Sequence, residues 1–418
     1  MFNKSLECIN KAELKSLQLE RIKETLRLIY DNVDYYKQKM DECNISTSDI
    51  NSLEDIKKLP FTTKDDLKNN YPFNSFAAPM RDIVRIHSSS NMKKITSGFT
   101  KGDIEAWSHC CARSIGCAGT NRDVVQISYD YGFANGLGLH YGAEKLGATT
   151  IPISSGEADL QTKLMQDYGT TILCSTSDYA LRLAQEKQKD SNLRIGIFGA
   201  ESHNKEQCEY IEKLWGIDVL NIYGPADIIG PGVAMECIEE KNGMHVWEDN
   251  FIVEIIDPVS GECLEDGEIG ELVITTINRS GMPIIRYRTN DLTYIIDKPC
   301  SCGRTHKKIG RLQGRTDDML TIHGVNIYPS QFEELIAIAA PMADEYQIII
   351  ERINHADKVN INVELTEKIL SDEVRKIEKV RDDIQRILKD SLKLDVKVNL
   401  VAPTSIKDKQ KRLIDNRF

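Results

Sequence analysis

Between Pro283 and Met319 the chain gathers residues whose types and spacing suit nucleotide chemistry. Pro283-Ile284-Ile285-Arg286-Tyr287-Arg288-Thr289-Asn290-Asp291-Leu292 sets an acid behind a β-branched and aromatic run, where a strand is expected to give way to a loop. A carboxylate at Asp291 can accept two hydrogen bonds from vicinal hydroxyls, as a ribose presents them. Gly310-Arg311-Leu312-Gln313-Gly314-Arg315-Thr316-Asp317-Asp318-Met319 packs two glycines, two arginines and two aspartates into ten residues. That suits a charged backbone corner better than a core element, and it reads as a joint between two domains. Between these segments Cys300-Ser301-Cys302 offers two thiolates at a spacing that fits one metal ion.

The elements that must position these groups follow from periodicity. Residues 6–42 read as helical, with leucines and isoleucines at mixed three and four spacing among charges. From residue 124 onward, strand-like runs at 124–127, 149–153, 171–174, 193–198 and 219–223 alternate with helix candidates at 138–146, 160–168, 177–188 and 204–215. That alternation indicates a largely parallel sheet covered by helices. Ligands of such sheets bind beyond the carboxyl ends of the strands. Two loops there carry small residues, an aromatic ring and acids: Gly199-Ala200-Glu201-Ser202 and Tyr223-Gly224-Pro225-Ala226-Asp227. A flat ring can lie against such a backbone, a tyrosine can stack on it, and Asp227 can hold a metal or a polar group. A third stretch, Tyr129 to Tyr141, mixes aromatics with recurring small residues. It either lines an apolar pocket or packs a helix closely onto the sheet.

Composition narrows the class. At 418 residues two or three domains are expected, and 41% hydrophobic, 28% charged and 7% aromatic content describe a soluble globular chain. A net charge of −11 argues against nucleic-acid binding. No apolar run approaches the roughly 20 residues of a membrane helix. Met1-Phe2-Asn3-Lys4-Ser5-Leu6-Glu7 carries no signal-type apolar region, so the expected location is cytoplasmic, with most of the 11 cysteines reduced.

Several ordered motifs resemble the phenylacetate-CoA ligase family of adenylate-forming enzymes. They include Phe198-Gly199-Ala200-Glu201, Gly138-Leu139-His140-Tyr141-Gly142-Ala143-Glu144, Trp247-Glu248-Asp249, Arg286-Tyr287-Arg288-Thr289-x-Asp291-Leu292 and Gly314-Arg315-Thr316-Asp317-Asp318-Met319-Leu320. The resemblance implies an α/β chain. Residues 1–315 would form a large domain of mixed and parallel sheets covered by helices, and 316–418 a small α+β domain joined to it by a hinge at Asp317. It also implies a reaction: a carboxylate and ATP give an acyl-adenylate and pyrophosphate, and coenzyme A then takes the acyl group. Asp291 and Arg315 are expected on the nucleotide, the Gly199 to Ser202 loop and Tyr223-Gly224 beside adenine, Asp227 near Mg2+, and Lys409 on the carboxylate and α-phosphate. Tyr131, Phe133 and Ala134 are expected at an aromatic acyl pocket, and a homodimer only by analogy.

Two departures from the family pattern bear on activity. The stretch corresponding to the glycine-rich phosphate loop is His87-Ser88-Ser89-Ser90-Asn91-Met92-Lys93-Lys94, without glycine and shorter, so Lys93 is left to meet phosphate as a point charge. Asp227 stands where the family has the longer glutamate. A ligase and a nucleotide- and zinc-binding relative with weak or lost ligase activity therefore both stay open. By the same resemblance, Cys237, His245, Cys300 and Cys302, within the region 237–306, are expected to hold a structural zinc ion, with His306 as substitute ligand.

Overall fold

A computed structural model describes residues 1–88, 95–131, 135–185, 192–199, 205–317, 320–323, 325–327, 329–339, 343–354, 356–365, 374–402, 405–406 and 412–417. Its chain divides into two compact units, Met1–Ser177 with Leu183–Thr316, and Asp178–Arg182 with Asp317–Phe418.

In the larger unit the first helices are α1 (Lys4–Glu7), α2 (Lys11–Asn32), α3 (Asp34–Glu42) and α4 (Lys64–Asn69). The helical periodicity across residues 6–42 is interrupted twice. Asn10 caps α2 by accepting the Glu13 amide, and Val33, in an extended conformation, separates α2 from α3. A hairpin of β1 (Ile83–Ser88) and β2 (Thr96–Thr100) leads into α5 (Lys101–Ile115), which opens with a Thr100/Asp103 capping box.

There follow β3 (Val124–Ile127), α6 (Asn135–Leu146), β4 (Thr149–Ile151), α7 (Ala158–Asp167), β5 (Ile172–Ser175), α8 (Ser177–Gln185), β6 (Ile195–Phe198), α9 (Lys205–Trp215) and β7 (Asp218–Tyr223). Then come β8 (Ala234–Glu236), β9 (Met244–Val246), β10 (Phe251–Ile256), β11 (Gly270–Thr276), β12 (Tyr287–Thr293), β13 (Ile295–Ile296), β14 (Lys308–Ile309) and β15 (Gly314–Arg315). The main sheet runs β13-β14-β9-β8-β7-β6-β5-β3-β4, parallel from β7 to β4 and antiparallel on the other side. Strands β5 and β6 are buried on both faces, which is why they read as unbroken apolar runs.

Two glycines of α6 serve close helix packing. A Cβ at Gly138 would lie 2.4 Å from the Trp107 ring, and one at Gly142 2.4 Å from Cys111 Cβ. These glycines let α6 press against α5, a helix, rather than against the sheet.

A second sheet, β10-β11-β12-β15, is antiparallel throughout. Asp291 lies inside β12 rather than at its end, because β15 extends the pairing through the Asp291–Arg315 register.

The smaller unit contains β16 (Leu320–Ile322), β17 (Val325–Ile327), α10 (Pro329–Ala339), β18 (Ala343–Ile353), β19 (Ala356–Leu365), α11 (Val374–Leu392), β20 (Lys397–Val401) and β21 (Leu413–Asn416). Its sheet is ordered β20-β19-β18-β21. Ile384, Leu388 and Leu392 form one stripe of α11, and Ile348, Ile350, Ile361 and Val363 supply the facing core. Strand β21 pairs parallel with β18, so the segment after Lys411 is part of the sheet. Among the described residues, no helix is long and apolar enough to cross a membrane.

Candidate active site

Strand β12 builds the site from one face. Tyr287, Thr289 and Asp291 alternate with Arg288 and Asn290 and point to the buried side. Where β11 passes from Glu271 to Val273, β12 runs from Leu292 to Arg288, so the extra residues of the bulge lie on β12. Within it Asn290 takes a positive φ of 62° and donates its amide to Glu271 Oε1 at 3.0 Å. Gly314, with φ 142° and open space around its Cβ position, is required for backbone conformation rather than for room. It places Arg315 directly across from Asp291.

The Asp291 carboxylate is buried and already organised. Tyr223 donates its phenol to Oδ2 at 2.7 Å, and Arg315 bonds Oδ1 through Nη1 while its Nη2 donates to the Thr289 carbonyl at 3.1 Å. Burial first, and then the Asp291 charge, push the Tyr223 phenol well up, so it stays a donor. Tyr287 in turn donates to Asp227 Oδ2 at 2.7 Å. Two phenol–carboxylate bonds of opposite sense thus tie the loop after β7 to β12.

The glycines at these loops serve close backbone approach. A Cβ on Gly224 would fall 1.7 Å from the Gly230 carbonyl oxygen, and one on Gly199 2.4 Å from that of Ile222.

Tyr131 is half-buried, with its phenol pushed up by burial and without a hydrogen-bond partner among the described residues. Its ring stands edge-on to His140, with centroids 6.2 Å apart. Lys93, Phe133, Ala134, Ala200, Glu201, Ser202 and Lys409 lie outside the described residues. Asp317 is the first residue of the C-terminal segment of the smaller unit.

The four expected metal ligands converge. Cys237 Sγ, His245, Cys300 Sγ and Cys302 Sγ place their donor atoms within 4.8 Å of one another. Cys237 and Cys300 sulfurs are 3.5 Å apart, and Cys302 Sγ is 3.4 Å from His245 Nε2. A tetrahedral zinc ion with bonds of about 2.0–2.3 Å needs ligand separations of roughly 3.3–3.8 Å, and these two separations fall in that range. The hairpin β8–β9 brings in the first two ligands, turning at Lys241 and Gly243, both with positive φ.

Outer partners hold the geometry: Glu240 accepts the Ser301 amide at 2.6 Å, and His245 Nδ1 faces the His306 carbonyl at 3.4 Å. His306 itself is no substitute ligand. Its Nδ1 is 2.8 Å from the Val246 carbonyl and its Nε2 2.9 Å from that of Leu6, so backbone occupies both nitrogens.

The sequence had not pointed to the N-terminal clamp on this knuckle. Glu7, fully buried, pairs with Arg304 at 2.7 Å, and Thr305 bonds the carbonyls of Glu7 and Ile9. Nor had it assigned a role to Tyr287. Its place four residues before Asp291, hence on the same strand face, was the available signal.

Comparison with known proteins agrees with this geometry. Residues 104–280 match the family "AMP-binding enzyme", and residues 324–417 match "AMP-binding enzyme C-terminal domain". The chain is 43% identical over 406 residues to a phenylacetate-coenzyme A ligase of Pseudomonas putida, covering 94% of this chain and 91% of that one. It is 38% identical over 443 residues to a phenylacetate-coenzyme A ligase of Thermus thermophilus, covering 100% of both. Among solved structures, 2-hydroxyisobutyryl-CoA ligase in complex with 2-HIB-AMP and CoA superimposes with a TM-score of 0.92 at 26% identity, covering 99% of this chain and 92% of that one.

Proposed function

The chain belongs to the phenylacetate-CoA ligase family, and we propose that it activates an aromatic carboxylate of the phenylacetate type for transfer to coenzyme A. It is an AMP-forming acid–thiol ligase. A carboxylate oxygen attacks the α-phosphorus of ATP, and the bond to the bridging oxygen breaks as pyrophosphate leaves with the electron pair. The coenzyme A sulfur then attacks the acyl carbon, and AMP departs.

The observation that carries this reading is the Asp291 carboxylate, held by Tyr223 and Arg315 on the buried face of β12. Asp291 accepts the ribose hydroxyls, and Arg315 adds charge-assisted bonds to the same nucleotide. Asp227, oriented by Tyr287, would hold Mg2+ as a hard oxygen ligand, and the ion would neutralise charge on the phosphates. Tyr131, Phe133 and Ala134 face the acyl group, and Lys409 stabilises charge at the attacked phosphorus. Residues 1–315 act as the nucleotide-binding domain and 316–418 as the part that pivots at Asp317 between half-reactions. Zinc at Cys237, His245, Cys300 and Cys302 is structural, because four protein ligands leave no open position for chemistry.

Pyrophosphate exchange into ATP, measured against a panel of aryl acids, tests the reading. Exchange that depends on an aryl acid is expected. A flat response to every acid would leave a nucleotide-binding relative without ligase activity.

A further inference from the structure

Two polar side chains of β7, Asn221 and Tyr223, alternate onto one face of the strand and lead to opposite ends of the same loop. Tyr223 donates to Asp291, which Arg315 also meets. Asn221 holds Glu236 of β8 instead: its amide and its Nδ2 donate to Glu236 Oε2 at 2.9 Å and 2.6 Å. Glu236 Oε1 lies 3.3 Å from Nη2 of Arg311, which precedes Arg315 in the segment Arg311-Leu312-Gln313-Gly314-Arg315. A chain of polar contacts therefore leaves β7 at Asn221, passes through Glu236 to Arg311, and returns from Arg315 through Asp291 to Tyr223.

The segment between the two arginines is tied down at both ends. Gly310 donates its amide to the Tyr294 carbonyl at 2.8 Å, and a Cβ there would fall 2.4 Å from the Tyr294 ring. Gln313 donates its amide to the Leu292 carbonyl at 2.8 Å and its Nε2 to the Arg311 carbonyl at 3.0 Å. Gly314 and Arg315 then join β12 as β15. Glu236 is fully buried, and burial raises its carboxyl. Arg311 is the first group that opposes the rise, ahead of Asn221. A buried carboxylate is costly without such a partner. The pair links the main sheet, through β8, to the segment that delivers Arg315 to the second sheet.

We propose that Arg311 is a positioning residue for the nucleotide. Anchored on Glu236, it fixes the segment so that Arg315 stands across from Asp291 before ligand arrives. Arg311 acts through Arg315 and does not itself touch the nucleotide. A segment held in its binding geometry loses less conformational freedom when ligand binds, and that difference appears as affinity. The inference rests on the reading of Asp291 and Arg315 as the nucleotide grip.

The test is a double-mutant cycle on the full chain, with the Kd for AMP read by calorimetry and a melting temperature recorded for each variant. Arg311→Gln is expected to raise the Kd about tenfold. Glu236→Gln breaks the same pair from the other side while keeping an acceptor for Asn221, and is expected to raise it to a similar extent. On an Arg315→Ala background Arg311→Gln should add less than about twofold, because the group it positions is gone. A purely structural role would give the same loss in both backgrounds. Arg311→Lys keeps the charge without the fork and should recover part of the affinity. If the glutamine variant fails to fold, the lysine variant takes its place, with a smaller loss that again vanishes beside Arg315→Ala. Equal losses in the two backgrounds, or AMP affinity unchanged by Arg311→Gln or Glu236→Gln, overturn the proposal. No AMP binding by the wild type, or an Arg315→Ala variant that binds AMP normally, would instead remove the nucleotide grip on which it rests.

Discussion

Tyr223 and Asp291, 68 positions apart, meet through a 2.7 Å bond from phenol to buried carboxylate. The same two elements carry the reverse pair, Tyr287 to Asp227, also at 2.7 Å. Each acid proposed to meet the nucleotide or its metal is therefore oriented by a tyrosine on the other's element. Neither carboxylate has to give up rotamer freedom when ligand arrives, which is preorganisation in a concrete form.

Asp291→Asn keeps the shape and removes the charge-assisted acceptor. Hydrogen bonds to charged groups contribute about 1.5–3 kcal/mol, so the Kd for AMP is expected to rise about 10- to 100-fold by calorimetry. Tyr223→Phe removes one neutral donor, and its effect is expected to be smaller, within about tenfold. Wild-type affinity in Asp291→Asn would place the ribose elsewhere.

The Glu7–Arg304 pair is buried on both sides and clamps the N-terminus to the loop carrying Cys300 and Cys302. Glu7→Gln leaves a buried guanidinium without its partner and is expected to cost about 3–5 kcal/mol in denaturant unfolding. Lys11→Ala breaks the exposed Lys11–Asp297 pair of the same segment and should be nearly silent. Similar small losses in both variants would mean that the clamp carries little stability.

Metal analysis of protein never exposed to chelator should give about one zinc per chain. Cys302→Ala should lose the metal and lower the melting temperature together. Acidification should release it as protons compete for the thiolates. Full metal content in Cys302→Ala would exclude the four-ligand site.

His87 sets a pH dependence whose sign follows from its surroundings. Its ordinary value of 6.5 is lowered to about 4 in the fold, by burial first and then by Arg85 and Arg279. Between those values the unfolded chain takes up a proton that the folded chain refuses. This part of the stability is therefore complete above about pH 6.5 and declines as pH falls toward about 4. Melting temperatures across that window should be flatter for His87→Gln than for the wild type, and parallel curves would point to another group.

What could be read from sequence divides along physical lines. The parallel strands were legible because burial on both faces leaves unbroken apolar runs, and Asp291, Arg315 and the four residues of the Cys/His cluster stood out because motifs carried them. The break at Val33 was hidden because apolar spacing continues across it, through Ile29, Val33, Tyr36 and Met40. The roles of Gly138 and Gly142 stayed open because close packing against a helix and against a sheet ask for the same small residue. Glu7 gave no local signal at all, because its partner lies 297 positions away. Strand β21 was not foreseen, because its pairing partner, β18, supplies the burial that its own sequence does not advertise.

The central claim is a carboxylate activated through an acyl-adenylate before thioester formation, and direct mass measurement of the intermediate tests it best. With ATP, magnesium and a phenylacetate-type acid but no coenzyme A, the protein should accumulate the mass of the acid joined to AMP. Adding coenzyme A should convert that species to thioester with release of AMP. Thioester formed with ADP and phosphate, or ATP bound without any acid–AMP species, would contradict the account.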